Sequence, residues 1–296
     1  MKIFLTGATG FIGSKVLKML TDEGHYVTCL RRHTSRSVRV QDIASCAWVY
    51  PEQLEEAFCT GGFDCVIHCA TTYGRSADQF FDVYAGNFSL AMQLLELSSQ
   101  NNVRLFINTD SFFVRELENG IREGQTVYMD SYTKSKFMFR ETARVNIKQL
   151  NISFANLQLQ HVYGTGDSEG KFIYFLKKNL MANVPSLDLT AGTQLRDWTW
   201  AGDVVAAYKV LLDNIDTFAP STFHEFQAGT GKMTSLRRVC ELMKDLSSSK
   251  TELNFGAREM NPGELQSSCA DNSSLTALGW KWKVDIEEGL RRILAE

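Results

Sequence analysis

The chain reaches a glycine-rich turn almost at once. Thr6-Gly7-Ala8-Thr9-Gly10-Phe11-Ile12-Gly13 stands between a short apolar strand, Lys2–Thr6, and a segment of helical spacing, Ser14–Glu23, that Gly24 stops. Gly7 allows a tight turn. Gly10 lets the backbone approach a pyrophosphate with no Cβ in the way, and Gly13 permits close packing of helix on strand. The helix then aims its first amides at phosphate oxygens. The glycines are spaced G-x-x-G-x-x-G rather than G-x-G-x-x-G, and three glycines alone carry little weight. After a strand and before a helix they predict a dinucleotide-binding turn, with Thr9, Phe11 and Ile12 beside the glycines.

The rest of the first half keeps the same rhythm. Tyr26–Leu30, Asp64–Cys69, Leu105–Thr109 and Ile152–Leu159 read as strands, and Glu52–Phe58, Asn87–Ser99 and Tyr132–Val145 as helices. Strands alternating with helices imply an α/β fold, a doubly wound parallel sheet covered on both faces. After Tyr163 the pattern changes. Gly164–Gly170 is a polar loop, Phe172–Met181 a helix, and Leu187–Leu189 and Trp198–Trp200 short strands around a turn at Gly192. Asp203–Leu212, Leu236–Leu246 and Ile286–Leu294 are further helices. Residues 1–162 therefore form the expected sheet domain, with a return segment near 203–225. Residues 163–202 and 226–296 form a smaller α/β lobe.

Composition excludes several classes. With 31 basic and 34 acidic residues in 296, the net charge is −3 and offers no general attraction to nucleic acid or an anionic membrane. No apolar stretch is long enough for a signal peptide or a membrane span. The seven cysteines lack C-x-x-C spacing and read as reduced thiols of a cytoplasmic protein. The five histidines are scattered without ligand spacing, so no metal site is expected.

Two features suggest chemistry. Where the second strand ends, a dinucleotide-binding fold reads the adenosine ribose. Here stand Arg31 and Arg32, with Arg36 behind and no carboxylate, which suits a 2′-phosphate and hence NADP. Further along, Tyr132 and Lys136 sit at i and i+4 on one helix face. A phenol of ordinary pKa about 10 exchanges protons poorly at neutral pH, and a neighbouring ammonium is expected to favour the phenolate.

Together these segments resemble the extended short-chain dehydrogenase/reductases, the NAD-dependent epimerase/dehydratase family, over nearly the whole chain. The resemblance rests on Thr6–Gly13, Asp64-Cys65-Val66-Ile67-His68-Cys69-Ala70, Asn87 opening the fourth helix, Ser111, and Tyr132 with Lys136. It continues through Val162-Tyr163-Gly164, Arg196-Asp197 with Asp203, and Leu278-Gly279-Trp280. It implies a seven-stranded Rossmann sheet, a lobe for a nucleotide-activated sugar, and a homodimer through the helices Asn87–Ser99 and Tyr132–Val145. It makes Tyr132 the general acid/base, Lys136 its partner and a ligand of the nicotinamide ribose, and Ser111 the hydrogen-bond donor to the reacting oxygen. Thr109 rivals Ser111, because Thr109-Asp110 is also similar to the Thr-Asp-Glu of sugar dehydratases. A strand ending at Phe106-Ile107-Asn108, with Val114 three residues past the serine, favours Ser111. Phe112-Phe113 then replace the dehydratase acids. Cys69, Ala70, Thr71, Asn87 and Thr109 join the implied cofactor contacts. Phe112, His161, Lys171, Phe172, Arg196 and Arg258 are the implied substrate contacts, the two arginines as diphosphate clamps.

The family pattern departs at His161 and Gln158, where an asparagine and an arginine are usual. Residues 162–208 look most like reductases of nucleotide-linked deoxysugars from O-antigen pathways. The expected activity is NADPH-dependent reduction of a C4 ketone on a nucleoside-diphosphate 4-keto-6-deoxy- or 3,6-dideoxyhexose. An epimerase that keeps its cofactor is the alternative, and a catalytically silent NADP-binding protein a third.

Overall fold

The computed structural model describes residues 1–43, 45–74, 79–114, 130–261 and 264–296. Its first elements are β1 (Lys2–Thr6), α1 (Phe11–Asp22), β2 (Tyr26–Leu30), β3 (Cys46–Val49), α2 (Leu54–Gly61) and β4 (Cys65–His68). Then come α3 (Phe80–Tyr84), a π-helical turn at Ala85–Ser89, α4 (Leu90–Gln100), β5 (Leu105–Ser111), α5 (Ser131–Asn146) and β6 (Ser153–Leu159). With β10 (Phe223–Ala228), these strands make a seven-stranded sheet in the order β10-β6-β5-β4-β1-β2-β3. From β3 across to β5 every pair is parallel. The doubly wound sheet implied by the alternating pattern is present.

The strands are apolar because both faces are covered. Every residue of β4, β5 and β6 is buried. One face carries an aromatic core in which Phe106 stacks on Phe154 at 5.4 Å and Phe139 meets Phe154 edge-on at 5.8 Å. Fully burying one such side chain contributes about 1.5–3 kcal/mol. Beside them Arg140 is wholly buried, with Nε 3.1 Å from Glu141.

The chain forms two compact units. The sheet unit takes residues 1–114, 130–158 and 205–226 of the described chain, and the second unit takes 159–204 and 227–296 without the undescribed residues. In the second unit, β7 (His161–Tyr163) pairs parallel with β9 (Leu195–Trp200), which pairs antiparallel with β11 (Met233–Ser235). β8 (Ser186–Leu189) pairs parallel with β12 (Glu252–Phe255). The two short strands flanking Gly192 thus enter different sheets. Gly192 itself has φ +68° and a Cβ there would meet Arg237 N at 2.8 Å, so glycine is required. Around these sheets lie α6 (Phe172–Met181), α8 (Leu236–Ser247), α9 (Ser273–Ala277) and α10 (Ile286–Leu294), while α7 (Ala201–Asp213) passes from one unit into the other.

Several expectations needed adjusting. The strand through Leu105 runs two residues further, to Ser111. Asn87 lies in the π-helical turn rather than at the start of an α-helix. β3 and α3 were not anticipated: β3 is a four-residue edge strand with no fully buried side chain, so it carries no apolar signature. Among the described residues no helix is long and apolar enough to cross a membrane, and no cluster of His, Cys, Asp and Glu could hold a metal.

Candidate active site

The glycine turn is built as its spacing implies. Gly7 has φ +72°, and a Cβ there would lie 2.6 Å from Ala70 N. A Cβ on Gly13 would lie 2.1 Å from Gly7 O, so the helix can sit this close to the turn only with glycine. Gly10 donates to Gly7 O at 2.9 Å. No side chain caps α1. By contrast, α5, α8 and α10 are capped by Asp130, Ser235 and Asp285, each accepting an amide hydrogen bond. A long helix whose N-terminus is wrapped by glycine and left without a side-chain acceptor fits an anionic pyrophosphate. Thr9, Phe11 and Ile12 are partly exposed along this turn.

Thr6 fastens the end of β1 to the end of β4. Its Oγ1 lies 2.8 Å from His68 Nδ1 and accepts from Ala70 N at 3.2 Å. Burial pushes the His68 pKa down to about 3, so this imidazole is neutral. The Thr71–Thr72 segment that follows is held from the π-helical turn: Asn87 Oδ1 accepts from Thr72 N at 2.8 Å, and Asn87 Nδ2 donates to Thr72 O at 2.8 Å and to Ser135 Oγ at 3.1 Å. Asn87 therefore links the chain after β4 to α5.

Arg31 stands at the end of β2 and is held against β3. Its guanidinium lies 5.0 Å from the Trp48 ring and 5.2 Å from the Tyr50 ring, and Nη2 donates to Tyr50 OH at 2.7 Å. Arg32 is exposed, with its backbone amide on Ser35 Oγ. Trp48 and Tyr50 escaped the sequence reading, because only the pairing of β3 with β2 brings them to Arg31.

The candidate catalytic residues lie on β5 and α5. Asp130 caps α5 through a 2.7 Å bond from Thr133 N, which fixes the start of the helix at Ser131–Tyr132. Ser111, the last residue of β5, is the side chain whose hydrogen-bonding influence opposes the rise of the Tyr132 phenol. Tyr73 stacks on the Tyr132 ring at 5.1 Å. Lys136 is buried; its Nζ donates to the Thr109 carbonyl at 2.7 Å and lies 5.9 Å from the Tyr132 ring centre. The expected lowering of the phenol by this ammonium is not what dominates. Desolvation pushes the Tyr132 pKa well above its ordinary value, with Tyr73, Asp110 and Asp130 adding to the rise and only the Ser111 hydrogen bond opposing it. Desolvation pulls Lys136 down, against Asp110 and Cys69. Tyr132 is thus a phenol that keeps its proton.

Thr109 and Ser111 face different partners. Thr109 Oγ1 is 2.6 Å from Tyr208 OH, on α7, and donates to Cys69 Sγ at 3.3 Å. The Ser111 hydroxyl instead accepts from Phe113 N at 3.4 Å. Phe112 is buried and Phe113 half-exposed, their rings 4.1 Å apart. Nothing in the local sequence pointed to Tyr208, which lies 99 positions from Thr109 in a helix that reads as apolar.

The second unit holds its own cluster. His161 meets the Trp198 ring edge-on at 5.6 Å, and burial with the nearby charges of Arg196 and Lys171 pushes its pKa down to about 3. Arg196 is buried and its Nη2 reaches Glu264 at 3.3 Å. It does not pair with its neighbour Asp197, whose oxygens accept from Thr230 N, Thr230 Oγ1, Gly231 N and Ala270 N. Asp197 therefore shapes a loop. Asp203 likewise accepts from Val284 N, and its carbonyl from Trp280 Nε1, which ties the Leu278-Gly279-Trp280 segment down. Phe172 stacks on Trp198 at 6.4 Å against the core of this unit, and Lys171 precedes it at the start of α6. Arg258 is exposed, with its amide on Leu189 O.

The profile of the NAD dependent epimerase/dehydratase family matches residues 3–224. A CDP-abequose synthase of Salmonella muenchen is 34% identical over 299 residues, covering 99% of this chain and 97% of its own. One from Salmonella typhimurium is 32% identical with the same coverage. Among solved structures, the UDP-glucose 4-epimerase of Thermotoga maritima with UDP-glucose superposes with a TM-score of 0.83 at 21% identity, over 100% of this chain and 98% of that one. The Thermus thermophilus UDP-glucose 4-epimerase complex with NAD gives 0.79 at 22% identity and the same coverage. At these identities the two structures speak to the fold.

Proposed function

The chain belongs to the NAD dependent epimerase/dehydratase family, and we propose that within it this protein reduces the C4 ketone of a nucleoside-diphosphate 4-keto-6-deoxy- or 3,6-dideoxyhexose, using NADPH. The observation that carries this reading is the buried Lys136 ammonium, 5.9 Å from the Tyr132 ring on the same helix and anchored to the Thr109 carbonyl at the strand end that bears Ser111. Ketone reduction needs a donor that holds a proton until the alkoxide develops. A dehydratase needs a carboxylic acid and a carboxylate just after the strand, where this chain has Phe112 and Phe113. The relatives named CDP-abequose synthase support a nucleotide-linked deoxysugar as the substrate class.

When bound, a reduced nicotinamide supplies the hydride. The Gly7–Gly13 turn and the uncapped start of α1 hold the pyrophosphate, and Arg31 offers its guanidinium to the adenosine ribose phosphate. Asn87 orders the segment after β4 along the same face. Tyr132 then gives its proton to the carbonyl oxygen, while the Ser111 hydroxyl stabilises the charge growing there. Lys136, anchored on the Thr109 carbonyl, contributes a fixed positive charge beside the phenol. In the second unit, Arg196 is the candidate diphosphate ligand, and His161, Lys171 and Phe172 the candidate sugar contacts. Arg258, exposed on its loop, is a second candidate for the diphosphate.

The test is incubation with a panel of 4-keto sugar nucleotides and NADPH, with products identified by NMR. Stoichiometric loss of NADPH with a new C4 hydroxyl is the expected result. Interconversion of C4 epimers without net NADPH loss would make the protein an epimerase.

A further inference from the structure

The ladder between β4 and β5 stops short of the site. It runs from Cys65↔Leu105 to His68↔Asn108, after which β4 ends while β5 continues to Ser111. Cys69 and Thr109 are the first residues beyond it. The crevice outside the carboxyl ends of the strands is where an open α/β sheet takes its ligand. Here side chains, not backbone, tie the two strands together. Thr109 Oγ1 donates to Cys69 Sγ at 3.3 Å, Cys69 Sγ donates to Tyr208 OH at 3.7 Å, and Tyr208 OH lies 2.6 Å from Thr109 Oγ1. Thr109 has one hydroxyl hydrogen and gives it to the sulfur, so the shortest bond takes its hydrogen from Tyr208. Each group then donates once and accepts once, and the triangle is closed. Tyr208 is wholly buried and Thr109 nearly so, and a buried hydroxyl left without a partner is costly.

Both corners that Tyr208 holds carry parts of the site. The backbone of Cys69 and Ala70 runs against the glycine turn, so close that a Cβ on Gly7 would lie 2.6 Å from the Cys69 carbonyl carbon and 2.6 Å from Ala70 N. Thr109 presents its own carbonyl to Lys136 Nζ at 2.7 Å. The next residue, Asp110, points to the opposite face of β5 and accepts from Asn156 Nδ2, on β6, at 2.9 Å, so it makes no tie to β4. Cys69, Thr109, Lys136 and Tyr208 all belong to the sheet unit.

We propose that Tyr208 is a positioning residue: its hydroxyl sets the spacing of β4 and β5 beyond their ladder, and with it the clearance under the glycine turn and the anchor of Lys136. This deepens the reductase reading and rests on it for the consequences for cofactor and turnover. The triangle itself does not depend on that reading.

Tyr208→Phe removes a single oxygen and keeps the ring. Cys69 retains the donor Thr109 but loses the acceptor that holds its own hydrogen, so its thiolate forms more readily. Iodoacetamide labelling of the ligand-free protein, followed by mass spectrometry of the peptide that carries Cys69, is expected to be about twofold faster or more, the smallest worth of one hydrogen bond. An unchanged rate overturns the proposal. NADPH, titrated by fluorescence, is expected to bind about three- to tenfold more weakly, and kcat to fall by a similar factor while KM for the sugar nucleotide holds. A loss of stability to urea with NADPH affinity and kcat both unchanged makes Tyr208 a packing residue only and also overturns the proposal. Thr109→Val should repeat the loss of NADPH affinity, Thr109→Ser should restore most of it, and the double variant Tyr208→Phe/Thr109→Val should cost less than the sum of the two. Additive losses overturn the shared triangle. If labelling and NADPH affinity respond while Tyr132→Phe remains fully active, the reductase reading fails and the positioning role stands.

Discussion

Lys136 donates from Nζ to the backbone carbonyl of Thr109 at 2.7 Å. The contact anchors the i+4 partner of Tyr132 to the end of β5 through a main-chain atom. The Thr109 side chain is thereby free to engage Tyr208 and Cys69. The strand end thus divides its labour: the backbone of Thr109 holds the lysine, and its hydroxyl holds Tyr208 and Cys69.

Tyr132→Phe keeps the ring and its stack on Tyr73 but removes the proton donor. General acid catalysis contributes about 10²–10⁴-fold, and ketone reduction is expected to fall by that much or more. NADPH binding, measured by fluorescence titration, should remain close to the parent. Near-normal reduction would refute the mechanism.

Ser111→Ala is expected to lower kcat more than it raises KM, since the hydroxyl acts on the developing oxyanion. Thr109→Ala leaves the carbonyl that holds Lys136 and removes only the contacts with Tyr208 and Cys69, so its effect on kcat should be the milder. Steady-state kinetics of the two variants decides the register. A crippled Thr109→Ala with a mild Ser111→Ala would transfer the role to Thr109.

Arg31 is held by Trp48 and Tyr50 just past the end of β2, where we propose that it meets the adenosine ribose phosphate. NADPH is expected to give the higher kcat/KM, and Arg31→Ala to lower it by about tenfold or more, the worth of one charge-assisted hydrogen bond. NADH turnover should change far less. Equal use of both cofactors by the parent would remove the argument from this loop.

His68 is buried neutral with its pKa down at about 3, against an ordinary value near 6.5. The unfolded chain takes up a proton there as pH falls through 6.5, and the folded chain does so only near 3. Stability contributed by the neutral ring is therefore full above pH 6.5 and is lost progressively toward pH 3. His161 acts in the same direction. Urea unfolding of the parent should show stability falling between pH 6.5 and 5, before most carboxylates titrate. His68→Gln should remove about one proton from that dependence. An unchanged slope would show that His68 does not carry it.

We also propose a homodimer through the sheet unit. Phe80 and Phe81 on α3 and Met138 and Val145 on α5 are exposed, and the last two, seven residues apart, share a helix face. Light scattering at micromolar concentration is expected to give twice the chain mass, and Val145→Asp to shift it toward the monomer. A monomeric parent would reject this assembly.

Local features of the sequence determined a good deal. A strand, three glycines and a helix within two dozen residues require no distant partner, because the φ of Gly7 and the tight approach of Gly13 to Gly7 are properties of one turn. The i, i+4 spacing of Tyr132 and Lys136 likewise follows from helix geometry, and the alternation of segments implied the parallel sheet before any pairing was known. What remained hidden depends on which strands are neighbours. Arg31 finds Trp48 and Tyr50 only because β3 pairs with β2. Asp110 finds Asn156 only because β6 lies beside β5, and Thr109 finds Tyr208 only when α7 returns to the sheet. The electrostatic state of the site belongs to this second class. From sequence, an adjacent lysine should lower a tyrosine. In the fold, desolvation of both groups outweighs their attraction, because charge is costly where water has been removed, and that balance is set by tertiary packing alone.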